Sequence, residues 1–214
     1  MKSRKKFWIG MCLLMVFILW TAAIRQIDVR PIGPNGSAVG FAAINGFVHG
    51  FTGVHMTLYE ITDWLGLVPV AIAIGFGLVG LAQWIRRKKI TKVDRSFLAL
   101  GMFYLAVTAA YLLFESYAVN YRPVLINGYL EASYPSSTTL LVMCVMPTAA
   151  MQLKERIQNP VVKGCMIGMI YGFTAFMVVG RLICGVHWIT DIIGGGLLSA
   201  GLVMVYAGFS RQEI

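Results

Sequence analysis

Apolar residues run along this chain in six long stretches, Phe7–Ala23, Leu65–Ile85, Ser96–Glu115, Tyr134–Leu153, Gly164–Cys184 and Ile189–Phe209, with short polar connections between them. A helix needs about 20 such residues to cross the hydrocarbon core of a bilayer, and each run comes near that length. The pattern predicts an all-α, polytopic membrane protein built as a six-transmembrane-helix bundle. One segment breaks it. Within Ala38–Asp63, the polar residues Asn45, His49, His55, Glu60 and Asp63 interrupt the apolar ones. That is too polar for a simple span and predicts an interfacial helix between spans one and two. Asp28–Gly40, with Pro31, Gly33, Pro34 and Gly36, reads as an irregular loop. Gly194-Gly195-Gly196 opens the last run, where small residues let helices approach closely.

Composition agrees with the pattern. Of 214 residues, 58% are hydrophobic and 13% charged, against about 45–50% and about 25% in soluble domains. Little chain remains beyond spans and loops, so residues 1–214 are expected to form a single membrane-embedded domain. Met1–Lys6, a short apolar stretch and Thr21-Ala22-Ala23 have the outline of a cleaved signal peptide. The run is long and no clear small-x-small site closes it, so a retained first helix is expected.

The net charge of +9 invites a nucleic-acid reading that position excludes. The cations sit at the ends of apolar runs, as topology signals do. Lys2, Arg4, Lys5, Lys6, Arg86, Arg87, Lys88, Lys89, Lys92, Arg95, Lys154, Arg156, Lys163 and Arg211 fall on one face. Only Arg25, Arg30, Arg122 and Arg181 fall on the other. Six alternating spans then place both termini in the cytoplasm of a multi-pass protein of the cytoplasmic membrane. Cys12, Cys144, Cys165 and Cys184 all lie in apolar runs without metal-ligand spacing and read as small buried hydrophobes.

On this topology the remaining polar residues converge. Glu115, Asn120, Arg122, Asn127, Glu131 and Ser136–Thr139 lie at the outer end of spans three and four, and Arg181, His187 and Asp191 at the outer end of spans five and six. Ionisable residues at membrane depth are costly, so such a cluster points to a functional site. His187-Trp-Ile-Thr-Asp191 spaces its two side chains by four residues, one helical face. A carboxylate there accepts the imidazole N–H, fixes its tautomer and stabilises developing charge, which suits a His nucleophile or base. Arg181 stands six residues upstream, placed to hold an anion near the ring. Tyr134-Pro135-Ser136-Ser137-Thr138-Thr139 marks the start of the fourth span. It reads as a helix cap and equally as a phosphate site, since free N–H groups and the helix dipole favour anions.

Arg122-Pro123, Pro135-Ser136-Ser137 and Arg181-x5-His187-x3-Asp191 resemble the three motifs of the type 2 phosphatidic acid phosphatase family, Lys-x6-Arg-Pro, Pro-Ser-Gly-His and Ser-Arg-x5-His-x3-Asp. The motif-bearing part is 115–196. The resemblance implies hydrolysis of a phosphoester without metal or cofactor: His187 attacks phosphorus and becomes a phosphohistidine, Asp191 orients it, and Arg122, Arg181 and Ser136 clamp the phosphoryl oxygens, with Ser137, Thr138 and nearby backbone amides alongside. Such chemistry rests on positioning and charge neutralisation.

Three positions depart from the family. Glu115 stands for the Lys, Thr138 for the His that protonates the leaving group, and Gly180 for the Ser before Arg181. A threonine hydroxyl is too weakly acidic for that task, and loss of a general acid costs about 10²–10⁴ in rate. Glu115 is the possible substitute acid, and a diphosphate substrate would ease the demand. The expected partners are a phosphorylated or diphosphorylated lipid and the bilayer; nothing in the pattern specifies an oligomer. A catalytically lapsed member that binds lipid phosphates or partners is the alternative. A transporter fits less well, because its site belongs near the midplane rather than at one face.

Overall fold

The computed structural model describes residues 2–210, and eight α-helices make up most of them: α1 (Lys2–Ile24), α2 (Ala42–Thr52), α3 (Met56–Leu65), α4 (Leu67–Arg87), α5 (Arg95–Ser116), α6 (Ser137–Arg156), α7 (Pro160–Ile183) and α8 (Ile189–Phe209). Arg211, counted above among the basic residues of one face, lies outside the described residues. The six long helices follow the six apolar runs. Among the described residues, five stretches are long and apolar enough to cross a membrane: α1, the joined α3–α4 segment Met56–Arg87, α5, α7 and α8. The sixth, α6, is 20 residues long but more polar. It packs against α4, α5, α7 and α8, so most of its surface meets protein rather than lipid. Thr148 and Gln152 are buried on it and bonded, Thr148 to the Cys144 carbonyl and Gln152 to the Tyr206 hydroxyl. An interior helix tolerates polar side chains that find partners.

Each boundary has a local cause. Asn159 caps α7, its Oδ1 accepting from the N–H groups of Val161 and Val162, with Pro160 at the first helical position. Ser136 caps α6. The α4–α5 turn closes on Gln83 and Asp94, which bond each other twice at 2.9 Å.

α1 lies antiparallel along α8. A Cβ on Gly201 would stand 2.8 Å from Leu14, and one on Gly208 would stand 2.8 Å from the Phe7 backbone. Gly10 in turn approaches Val205. Backbones this close pack without room for side chains. The first helix is therefore a wall of the bundle. Below it, Phe17, Leu100, Phe103, Val107, Leu140, Leu198 and Tyr206 form the main core. Cys144 and Cys184 are buried as expected, whereas Cys12 and Cys165 are exposed on the outside of the bundle.

The segment expected to hold one interfacial helix holds two. Gly53, at φ +69°, ends α2, and α3 runs on into α4 through Gly66. The break is held from outside: a Cβ on Gly185, itself at φ +69°, would lie 1.8 Å from the Gly53 carbonyl oxygen, and the His55 N–H donates to the Cys184 carbonyl. α2 is held at Asn45, which is fully buried and bonded to the Gly40 carbonyl and to Thr190 at the start of α8. The outward sides of α2 and α3 expose Phe47, Phe51 and Trp64, as suits a membrane interface.

Candidate active site

Four elements meet at one end of the bundle. The 20-residue connection from α5 to α6 doubles back as a short hairpin. Asn127 and Gly128 both have positive φ, at 50° and 82°, and form the two-residue turn between Ile126 and Tyr129. Pairing continues to Arg122 with Glu131 and Ser133 with Asn120. The Trp188 indole N–H fastens the hairpin to α8 by donating to the Tyr121 carbonyl at 2.7 Å. This fold brings Asn120, Arg122 and Ser133 to the loop between α7 and α8, where His187 lies.

The close approach of α8 depends on its glycines. A Cβ on Gly194 would stand 2.3 Å from the Tyr134 ring, and one on Gly195 would stand 3.2 Å from the Ser136 carbonyl and from Thr139. Gly194 and Gly195 thus seat the Tyr134–Ser136 loop on the second turn of α8.

His187 is buried, and its two nitrogens have different partners. Nε2 lies 3.2 Å from Nη2 of Arg181, and Nδ1 lies 3.0 Å from the Ser133 hydroxyl. A guanidinium only donates, so Nε2 carries the lone pair and the proton sits on Nδ1. Nδ1–H donates to Ser133, whose hydroxyl donates to Oδ2 of Asp191. The expected direct bond between His187 and Asp191 is absent: Nδ1 and Oδ2 are 3.8 Å apart, with the serine between them. The reason is where the helix begins. His187 precedes the first turn of α8 instead of sharing a helical face with Asp191, whose carboxylate turns back to cap that turn, accepting from the Trp188 N–H at 2.9 Å. Asn120 adds a longer bond to Oδ1 at 3.4 Å.

Two guanidinium groups lie beside the imidazole. Arg181 is 1% exposed and touches Thr62, Asp63 and the Tyr59 ring, all on α3. Arg122 stands over the same Tyr59 ring, with Nε 3.1 Å from a Glu131 carboxylate oxygen, out of line for a hydrogen bond. Among the described residues, Nε and Nη1 of Arg122 and Nε of Arg181 are buried without hydrogen-bond partners. Buried polar groups are nearly always satisfied, so unpartnered donors on two adjacent cations call for an anion. Burial, and next the positive charges of Arg181 and Arg122, hold the His187 ring well below the usual imidazole range, and it stays neutral.

A small cavity of about 20 Å³ opens onto this group, lined by Glu115, Arg122, Ser133, Ser137 and His187 among others. Glu115, exposed at the end of α5, therefore faces the same space as the imidazole. Ser137 is half-buried at the cavity wall. Ser136 is occupied as a cap, its Oγ accepting from Thr139 and its backbone N–H donating to the Asp191 carbonyl. Thr138 is buried with its methyl group beside Gly66 at the α3–α4 joint. The structure thus gathers His187, Asp191, Arg122, Arg181, Ser137 and Glu115, with Ser136 and Thr138 beside them at the start of α6.

Residues 114–213 match the family model of the PAP2 superfamily, and the matched stretch contains every one of these residues. This stretch, a little under half of the chain, carries the PAP2 superfamily pattern. Its fold resembles that of a solved relative, a transmembrane PAP2 type phosphatidylglycerolphosphate phosphatase from Bacillus subtilis, with a TM-score of 0.53 at 18% identity over 95% of this chain and 96% of that one. No curated protein matches the chain. Within this PAP2 frame, the site residues missed by sequence reasoning are Ser133, Tyr59 and Thr62. Asn127-Gly128 was the available signal for the first, because a two-residue turn there folds Ser133 back alongside residues 120–122. For α3 the signal was fainter: Tyr59, Thr62 and Asp63 share a helical face.

Proposed function

We propose that this chain is a membrane lipid phosphatase whose site faces the extracytoplasmic side and works through a phosphohistidine. The observation that carries this reading is the pair of buried guanidinium groups with free N–H donors beside a neutral imidazole. The excess of Lys and Arg at the other end of the bundle supports the orientation, and with it the placing of both termini in the cytoplasm.

In the resting site Arg181 donates to the Nε2 lone pair. A phosphoryl group entering there exchanges that bond for oxygen contacts with Arg181 and Arg122 and with the N–H groups at the start of α6. The freed lone pair forms the N–P bond as the P–O bond to the lipid breaks. The ring then carries a positive charge, which Asp191 offsets through Ser133. A lipid alcohol leaving as alkoxide takes a proton from Glu115, which lines the cavity; a lipid monophosphate leaving from a diphosphate needs less help. Water then attacks phosphorus and loses a proton that restores Glu115 where it has been spent, the N–P bond breaks, and inorganic phosphate departs with Nε2 restored. The substrate class is a phosphorylated or diphosphorylated lipid, of the kind named for the Bacillus subtilis neighbour or a polyprenyl diphosphate.

A second reading, a site that binds lipid phosphates without turnover, is favoured by Thr138 in place of the family's acid. Phosphate release from a panel of lipid mono- and diphosphates in detergent separates the two. Turnover by wild type that falls at least about 10²-fold in Glu115→Gln on monophosphates supports the first. Vanadate binding without release from any member of the panel supports the second.

A further inference from the structure

We propose that Thr62 on α3 is a positioning residue for Arg181, supplying across the helix interface the hydroxyl that Gly180 lacks. The inference rests on the proposed chemistry for its effect on rate, and on geometry alone for its effect on Arg181.

Three observations meet at this point. Thr62 is completely buried, and its Oγ1 lies 3.4 Å from Nη1 of Arg181. That hydroxyl spends its own proton on the carbonyls of Leu58 and Tyr59, at 2.9 and 3.0 Å, so its lone pairs are left for the guanidinium. Gly180 is the notch that admits it: a Cβ there would lie 2.9 Å from the Thr62 methyl group and 3.9 Å from Leu58. A serine at residue 180, as in the family's Ser-Arg motif, and a threonine at residue 62 cannot both be accommodated without a shift. The departure from the motif is therefore paired with a contact from a different helix.

The neighbours on α3 act in the same direction. Tyr59 and Asp63 share the face of Thr62, one giving its ring to Arg181 at 4.9 Å and the other a carboxylate at 3.7 Å. Asp63 is 59% exposed, so its pull is screened by solvent. Thr62 is the buried, directional member of the three. Its hold on Nη1 leaves Nη2 aimed at Nε2 of His187. α3, read from sequence as a surface helix, becomes a wall of the site.

The test uses the full chain in detergent and does not need turnover. The protein has three histidines, so ¹⁵N-histidine spectra resolve His187 after comparison with single His49 and His55 variants. His187 is faced by Arg181 from α7, Arg122 and Ser133 from the hairpin, Asp191 from α8 and, across the small cavity, Glu115 from α5. Thr62→Val keeps the shape and removes the acceptor. It should alter the His187 Nε2 resonance and raise the pH at which the ring titrates, and it should lower kcat about tenfold. Thr62→Ser should stay close to wild type in both. Should Thr62→Val not fold, Thr62→Ala, which only removes atoms, gives the same reading. The decisive arm pairs Thr62→Ala with either Gly180→Ser or Gly180→Ala: the serine should recover rate and spectrum, and the alanine should not. A Thr62→Val spectrum identical to wild type, or equal behaviour of the two double variants, overturns the proposal. Wild-type protein inactive on every lipid phosphate, with a Thr62→Val spectrum that still changes, overturns only the phosphatase reading.

Discussion

The two ends of this bundle are both cationic, and they use their cations in opposite ways. At one end Lys6, Arg95 and Lys154 stand around a groove of about 840 Å³ between α5, α6, α7 and α8. Arg95 and Lys154 are exposed there, and nearby Arg156 is satisfied by Gln152, Ser96 and the Phe97 ring. At the other end Arg122 and Arg181 are buried, and three of their nitrogens have no hydrogen-bond partner among the described residues. Solvated charges near a membrane surface set orientation and add little else. Buried charges left incomplete set an affinity for an anion. The number of basic residues would have pointed to the wrong end.

Three substitutions sharpen this contrast. Arg181→Gln should have the largest effect, lowering kcat/KM for lipid phosphates about 10²–10³-fold, because it removes a donor aimed at the phosphoryl group. It should also move the pH profile. Burial and the two arginines hold the His187 ring below its ordinary range. Wild type therefore keeps a neutral nucleophile as pH falls below 6.5, and loses it only at lower pH. With one positive charge gone, the acid limb of kcat/KM should shift upward; a limb that stays in place would show that Arg181 does not act on the ring.

Ser133→Ala should come next. It leaves His187 and Asp191 3.8 Å apart without a bridge. The lost bond to a carboxylate is worth about 1.5–3 kcal/mol, or about 10–100-fold in kcat. Full activity in that variant would mean that the imidazole and carboxylate can close the gap unaided. Lys154→Gln, at the exposed end, should change kcat/KM less than about twofold; a loss comparable to that of Arg181→Gln would erase the distinction between the two ends.

Much of this was legible in the chain, for definable reasons. The apolar runs located the six long helices because membrane spans leave a dense signal. α8 was read to the residue, and α7 began one turn early because Asn159 and Pro160 start it. The expectation that His187, Asp191, Arg122 and Arg181 gather at one end agrees with their placement. What the sequence hid was tertiary. No spacing rule announces that Ser133 stands between His187 and Asp191, because it arrives from a hairpin more than 50 residues away. Nor does hydropathy distinguish α3 as a partner of Arg181, since its outward face carries the interfacial residues that dominate the pattern.

The central claim is that a phosphoryl group becomes bonded to Nε2 of His187 between two buried guanidinium groups. Quenching the protein during turnover of a lipid phosphate and mapping its peptides under alkaline conditions tests this directly. The account predicts a phosphoryl group on His187, absent from His187→Ala, which should release no phosphate. Sustained phosphate release by His187→Ala would contradict it.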